Sequence, residues 1–389
     1  MNILHLLIHQ HSKYNTMKIG FDAKRAFNNS TGLGNYSRAI INIMSKYFSD
    51  NEYILYTSKQ SNAYENYFKD FQNIQITTPN KIGRMFPNLW RSLSLTNFAL
   101  KDKLDIYHGL SHELPVNIHH SSIKSIVTMH DLIVWRHPEY FKYIDRITYQ
   151  KKQLYACKIA DIVIAISEQT KQDLIEILNI EQEKIKVVYQ PCSSIFTQTL
   201  TSAQKLDVAS KYNLPNRYIL FVGTMEERKN LLTIIRSMPL IDKEIHLVAV
   251  GRTTDYFSII NEETNVLKLT NRIHFIHNAD FYDFPAIYAN AEVFVYPSFF
   301  EGFGIPVLEA LHCGVPVITS NTSSLPEVGG NAALYINPTD HEALAQHINN
   351  IIGDKILSES MIQKGKVQAL CFSEEKIAQN LWNVYKETK

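Results

Sequence analysis

Two doubly wound α/β domains are the fold this sequence predicts. Three observations lead there. The chain has 389 residues, more than one ordinary hydrophobic core holds. Short continuous apolar runs, rich in Val and Ile, recur along it, and such runs mark strands buried on both faces of a parallel sheet. Helix-length stretches separate the runs, so strand and helix alternate as a helix-covered parallel sheet requires.

Met17 opens the first run, MKIGFDA, and YILYTS, DIYHG, SIVTMHD, ADIVIAIS and KIKVVYQ come after it in the first half. The second half carries YILFVG, IHLVAVG, RIHFIH, AEVFVYPS, VPVITS and AALYI, again six runs. The strand pattern lapses over 192–216, which sets a first domain at 17–195 and a second at 205–372. Residues 1–16 read as a peripheral extension, because the apolar patch in MNILHLLIHQHSKYNT lacks a basic flank and a cleavage site. The tail 373–389, SEEKIAQNLWNVYKETK, reads as an amphipathic helix with Ser373 as its N-cap candidate. Residues 80–100 mix aromatic side chains with Lys and Arg. They read as a loop and helix packed on the first domain, or else as a patch that leans weakly on a membrane surface.

Composition narrows the function. The chain is 45% apolar and 20% charged with a net charge of +1, which fits a soluble enzyme and gives no basic excess for nucleic acid. Its four cysteines, at 157, 192, 313 and 371, form no CxxC pair, so neither a zinc nor a redox motif is indicated. Scattered thiols suit a reducing cytoplasm. No apolar run reaches the roughly 18 residues that a bilayer-spanning helix needs.

In open α/β sheets ligands bind beyond the carboxyl ends of the strands. The residues just past each run are therefore the place to look. After MKIGFDA comes TGLGNYS, where Gly32 and Gly34 let backbone approach a ligand ahead of a helix N-terminus, although such loops are often plain tight turns. His108 comes after DIY, and His130 and Asp131 after SIVTM. Ser167 comes after ADIVIAI and also suits the N-cap of the next helix. After YILFVG, the adjacent cations Arg228 and Lys229 suit a diphosphate, unless the neighbouring Glu226 and Glu227 satisfy them. After AEVFVYPS comes EGFGIPVLEALHCG. There Glu301 stands in a glycine turn, Pro306 in the first helical turn, Glu309 about one turn in, and Gly314 at the stop. The amides around Gly304, Ile305, Val307 and Leu308 form an anion site between two carboxylates. A nucleotide sugar has the matching shape: sugar, diphosphate, ribose. Glu309 alone is also explained by the helix dipole, but the glycine turn with Glu301 before it is not.

These stretches together resemble the retaining GT-B glycosyltransferases of family 4. EGFGIPVLE is similar to that family's paired-glutamate motif, TGLGNYS to its glycine loop, VTMHDL to its histidine motif, ISEQTKQDL to its serine segment and FVGTMEERKN to its diphosphate-binding strand end. SNTSSLPEVGGNAALYINP and the final FSEEKIAQNLWNVYK also fit, and the likeness runs in order from about Met17 to the end. The resemblance implies two Rossmann-like domains facing a cleft, with a C-terminal helix crossing back to the first. The second domain would bind a nucleoside-diphosphate sugar, and the first a glycan or lipid-linked acceptor. Arg228, Lys229, Gly34, Gly304 and Ile305 would hold the diphosphate and Glu309 the ribose. Glu301 and His130 would sit at the transferred sugar. Gly32, Asp131, His108 and Ser167 would lie toward the acceptor. Thr224 stands where many members carry an arginine, and Asn331 where aspartate is common.

The resemblance implies hexosyl transfer with retention, and the transfer is expected to be metal-independent, since no two aspartates are spaced by two as in a DxD metal motif. Mannose from a GDP sugar, passed to a surface polysaccharide, is the substrate reading that the family suggests. Two rivals stand beside it. A nicotinamide-dependent oxidoreductase would need an acid after its second strand, and Glu52 precedes that strand. A non-catalytic nucleotide-sugar or glycan-binding protein would bind donor without turnover.

Overall fold

The computed structural model describes residues 16–61, 64 and 66–389. Apart from Thr16, the extension read at 1–16 lies outside the described residues.

The strands form where the apolar runs stand. In the first sheet they are β1 (Lys18–Asp22), β2 (Glu52–Tyr56), β3 (Ile74–Thr77), β4 (Ile106–Gly109), β5 (Lys124–Met129), β6 (Ile162–Ala165) and β7 (Ile185–Val187). The second holds β8 (Tyr218–Val222), β9 (His246–Val250), β10 (Ile273–Ile276), β11 (Val293–Tyr296), β12 (Val317–Ser320) and β13 (Ala333–Ile336). The orders are β3-β2-β1-β4-β5-β6-β7 and β10-β9-β8-β11-β12-β13. Both contain the doubly wound order 3-2-1-4-5-6, and the registers are parallel. Every residue of β8 and β11 is buried, as strands covered on both faces must be.

The first sheet has one strand more than the sequence pattern predicts. β3, IQIT, is an edge strand with no fully buried residue, so it carries no continuous apolar run. The stretch at 80–100 folds into short helical segments from Lys81 to Lys101, joined through a π-helical turn at Trp90–Ser94. One side packs through Trp90, Leu95 and Ala99, while Met85, Phe86, Leu89 and Leu93 stay exposed.

By internal packing the chain divides into two units. One comprises the described residues through Met129, with Lys152–Ile164 and Ala378–Lys389. The other comprises His130–Lys151 and Ala165–Ile377. The His130 loop and the Ser167 helix thus pack with the second sheet, although in sequence they come after strands of the first. The last helix, Glu374–Thr388, contributes its end to the first unit. There Trp382 stacks on Phe48 with ring centroids 4.7 Å apart, and Tyr385 is fully buried.

Each sheet reverses its winding between its first and fourth strands. In the second sheet that switch point lies between β8 and β11, the neighbouring strands that carry Arg228–Lys229 and Glu301 at their carboxyl ends.

Candidate active site

The site is built by stitching the loop after β8 to the loop after β11. Asn230 adopts a left-handed conformation, φ 56°, which asparagine tolerates better than most residues. Its side-chain amide donates to the Pro297 carbonyl at 2.9 Å and to the Pro338 carbonyl at 2.6 Å. The Phe299 amide donates to the Arg228 carbonyl at 2.9 Å. The Arg228–Lys229 turn is therefore fixed by backbone geometry, not merely by its charges.

Glu301 sits between the two cations. Its Oε1 is 2.7 Å from Lys229 Nζ, and its Oε2 is 3.0 Å from the Arg228 guanidinium. Arg228 also donates to the Phe300 carbonyl and pairs with Glu226, each at 2.7 Å. Lys229 donates to the Tyr296 hydroxyl at 2.6 Å. The nearby Glu226 thus satisfies only part of Arg228, and the central partner comes from the other loop. Burial alone pushes the Glu301 carboxyl up, but Arg228 and Lys229 outweigh it and hold it at about 2. The Glu301 backbone is held too: its amide donates to Ser323 Oγ, and its carbonyl accepts from Ser324 Oγ, both at 3.0 Å.

Gly302 is required by close approach. A Cβ there would lie 2.0 Å from the His130 carbonyl oxygen. The Gly302 carbonyl accepts from Ser167 Oγ at 2.7 Å, and the Thr170 amide donates to the same Oγ at 3.0 Å. Ser167 therefore caps its helix and anchors the glutamate turn with one hydroxyl. It is fully buried, so it acts on the site through Gly302 and not as a ligand contact. Ser167→Ala should lower stability by about 1–2 kcal/mol, read by chemical denaturation, since a cap and a buried acceptor lose their partner.

His130 is 4% exposed, and its Nδ1 lies 3.2 Å from the Gln190 side-chain amide. Asp131 Oδ1 accepts from the Ile133 amide at 3.1 Å, and burial raises its carboxyl. Gly304 caps the helix Ile305–His312 with φ 117°, a conformation that favours glycine. Its carbonyl takes the amides of Val307 and Leu308 at 3.0 and 3.3 Å. These two amides are already spent, which leaves those of Gly304 and Ile305 for the anion site that the sequence leads one to expect. Glu309, on the same helix, accepts from the Tyr288 hydroxyl at 2.9 Å, and burial raises its carboxyl to about 8. A carboxyl raised in the folded state favours folding at low pH and loses that contribution as pH climbs through the folded value. Glu309→Gln should therefore stabilise the protein relative to wild type increasingly from pH 5 to 8, by more than about 1 kcal/mol, in parallel thermal melts.

Residues 203–368 match the family model for glycosyl transferases group 1, and residues 33–192 match that for glycosyltransferase family 4. The chain is 34% identical over 298 residues to O-antigen chain mannosyltransferase B of Escherichia coli, covering 74% of this chain and 76% of that protein. This chain is a family 4 glycosyltransferase. It is also 28% identical to O-antigen chain mannosyltransferase RfbU of Salmonella typhimurium, over 75% of this chain and 80% of that protein. Among solved structures, Anabaena HepE in complex with UDP and glucose superposes with a TM-score of 0.75 at 17% identity, over 95% of this chain and all of that one. WaaG, a glycosyltransferase of lipopolysaccharide biosynthesis, gives 0.69 at 13% identity, over 95% and 99%. These likenesses speak for the fold, two Rossmann-like domains of the GT-B class.

In the second unit the glycosyltransferase brings together Arg228, Lys229, Glu301, His130, Asp131 and Ser167, and the same unit holds Gly304, Ile305 and Glu309 on the turn and helix that follow Glu301. Gly32, Gly34 and His108 belong to the first unit. His108 is fully buried, with its ring nitrogens 2.7 Å from the Tyr385 hydroxyl and 2.8 Å from Thr128 Oγ1. It joins the last helix to the first sheet and offers no ring nitrogen to an acceptor. Gly34 is required, but by its own chain: a Cβ would lie 1.9 Å from the Asn29 carbonyl oxygen. Its amide donates to the Thr31 carbonyl at 2.9 Å and approaches Asn29 Oδ1 at 3.2 Å. That amide is not free for a phosphate. Around Gly32 a Cβ would meet open space.

Three parts of the site escape the sequence reading. Gln190 is the last residue of the KIKVVYQ run and so reads as strand, but β7 stops at Val187, which puts Gln190 beyond the strand end. Tyr296 lies within a strand and looks like core. Asn230 reads as an ordinary turn residue until its contact with Pro338 is seen.

Proposed function

We propose that this glycosyltransferase moves a hexose, mannose by preference, from a nucleoside-diphosphate sugar to a hydroxyl of a lipid-linked glycan, with retention and without a metal. One observation carries the reading: two fixed cations grip a buried carboxylate beside an open helix N-terminus, at the switch point of a doubly wound sheet. Without donor, Glu301 is the anion that Arg228 and Lys229 hold. A donor diphosphate supplies a stronger anion for the same cations and for the Gly304 and Ile305 amides, and it releases Glu301 toward the sugar. Glu309, kept largely neutral by burial, can both donate to and accept from ribose hydroxyls.

Glu301 is a poor nucleophile while two cations hold its charge. The reading therefore favours front-face transfer: the bond from sugar to diphosphate breaks, the acceptor oxygen bonds on the same face, and the leaving phosphate takes the acceptor proton. His130, steadied by Gln190, lies in the same unit to orient the sugar. The mannosyl preference and the surface-polysaccharide acceptor rest on the relatives' names. A screen of nucleoside-diphosphate sugars for acceptor-dependent diphosphate release, with the product linkage determined by NMR, tests the proposal. Release with GDP-mannose and an α-linked product supports it. Turnover with no sugar donor, or a β-linked product, overturns it.

The same reading seats the enzyme peripherally on the cytoplasmic leaflet. Residues 80–101 carry no acid and three exposed cations, Lys81, Arg84 and Lys101, and Met85 and Phe86 are 73% and 57% exposed. Met85→Asp with Phe86→Asp should reduce co-sedimentation with phosphatidylglycerol vesicles while leaving donor binding unchanged. Unaltered sedimentation would remove the membrane from this reading.

A further inference from the structure

The first sheet has its own switch point, between β1 and β4, and a charged cluster stands there that the donor chemistry does not use. Arg91 is its hub. Its side chain is 12% exposed, lies 3.1 Å from Asp22 Oδ2 and also pairs with Glu113. Lys152 meets Glu113 at 3.0 Å. Lys24 and Arg25, immediately after β1, complete the cluster, and both are half-buried. Among the described residues, four cations thus gather around two acids. Asp22 and Glu113 are taken by Arg91 and Lys152, while the side chains of Lys24 and Arg25 have no hydrogen-bond or ion-pair partner among the described residues.

A second observation points the same way. Tyr107, on β4, is fully buried and its hydroxyl has no hydrogen-bond partner among the described residues. It lies close enough to Asp22 and Arg91 for both charges to act on it. Buried hydroxyls are nearly always satisfied, so an orphan beside the Arg91–Asp22 pair marks a place in this cluster where something polar belongs.

We propose that Lys24 and Arg25 hold a phosphoryl group of the acceptor at the carboxyl ends of β1 and β4, with Arg91 as the residue that positions them. This rests on the reading that the first unit takes the acceptor. A flexible ammonium and a guanidinium fork are complementary ways to grip phosphoryl oxygens. Two surplus charges match the charge of a phosphate monoester or a lipid-linked diphosphate better than that of a neutral sugar. Arg91, locked by its two acids, keeps the cluster from collapsing onto a carboxylate of its own. The groups that act on Lys24 are Arg91, Asp22, Arg25 and Lys152. Burial, and then the charge of Arg91, bring its ammonium down to about 8 against the pull of Asp22. The grip therefore weakens as pH rises through that value.

The test compares one glycan acceptor in two forms, linked to an alkyl diphosphate or as the neutral alkyl glycoside. In Lys24→Ala and Arg25→Ala, KM for the diphosphate acceptor should rise at least about tenfold, the scale of one lost charge-assisted contact. kcat, the donor KM and the neutral acceptor's KM should stay within about twofold; an unchanged donor KM also shows that the variants fold. In wild type the diphosphate acceptor's KM should rise above pH 8, and in Lys24→Arg it should not. Equal losses with both acceptors, a raised donor KM, or loss of binding to phosphatidylglycerol vesicles with the acceptor KM unchanged would each overturn the proposal. If no sugar donor is turned over, the underlying reading fails while the pair is still tested by pyrophosphate titration in a Lys229→Ala background. Binding that disappears on adding Lys24→Ala upholds an anion seat, and binding that persists or never occurs refutes it.

Discussion

Glu301→Ala should cut sugar transfer by about 100- to 1000-fold, the scale of losing a preorganised charge at a reacting centre. The same change should cost about 3–5 kcal/mol of stability, because it strands the buried Arg228 and Lys229 without their shared counterion. Both effects come from one carboxylate that is 7% exposed and lies 2.7 and 3.0 Å from two cations. The variant should also bind nucleoside diphosphate more tightly than wild type, since no internal carboxylate competes for the cations. Thermal melts with and without diphosphate read this directly: the ligand-induced rise in Tm is expected to be larger in the variant. The pH dependence comes from the direction of the shift. A carboxyl lowered to about 2 contributes stability that is present above its ordinary value near 4.5 and lost as pH falls through 2. The gap between wild type and variant should thus stay flat from pH 5 to 8 and narrow below 4. A gap that widens in acid would contradict the pairing.

Gly302→Ala should be nearly as damaging to activity, although it removes no functional group. The added methyl would meet the His130 carbonyl oxygen at 2.0 Å and Asp131 Cβ at 2.9 Å. The obstacle is backbone, so no side chain can rotate away. On its other side, the Gly302 carbonyl is tied to Ser167. Relief requires the Glu301 turn and the His130 loop to separate by roughly an ångström, a displacement that can cost about 100-fold in rate. Strain of this kind typically costs about 1–3 kcal/mol in stability. Gly32→Ala is the control. Its Cβ meets open space, so stability should stay within about 0.5 kcal/mol. Steady-state kinetics and denaturant melts of the two variants side by side check the contrast, and equal behaviour would remove the steric argument.

That contrast shows where the sequence speaks and where it falls silent. Buried parallel strands announce themselves as apolar runs, so the alternation that builds both sheets is legible. β3 is not, because an edge strand has no second covered face. The positions of Arg228, Lys229 and Glu301 at strand ends are legible from pattern. Their pairing is not, since the carboxylate that holds both cations lies 72 residues beyond Lys229 and the visible acid is the neighbouring Glu226. Gly32, Gly34 and Gly302 look alike in sequence. Only the approach of Asn29 and of His130 tells which of them a side chain would break. His108 and Ser167 stand at strand ends like ligand contacts, yet burial and filled hydrogen bonds make them supports. Val307 and Leu308 look like open helix-end amides until the Gly304 carbonyl is seen to take both.

Everything proposed for the donor depends on Arg228 and Lys229 forming the seat of its diphosphate. Calorimetric titration of GDP into wild type and Lys229→Ala decides the matter. Wild type should bind, with an affinity about 10- to 100-fold weaker in the variant, the worth of one charge-assisted contact in a buried site. Equal affinities in the two proteins would show that the diphosphate sits elsewhere.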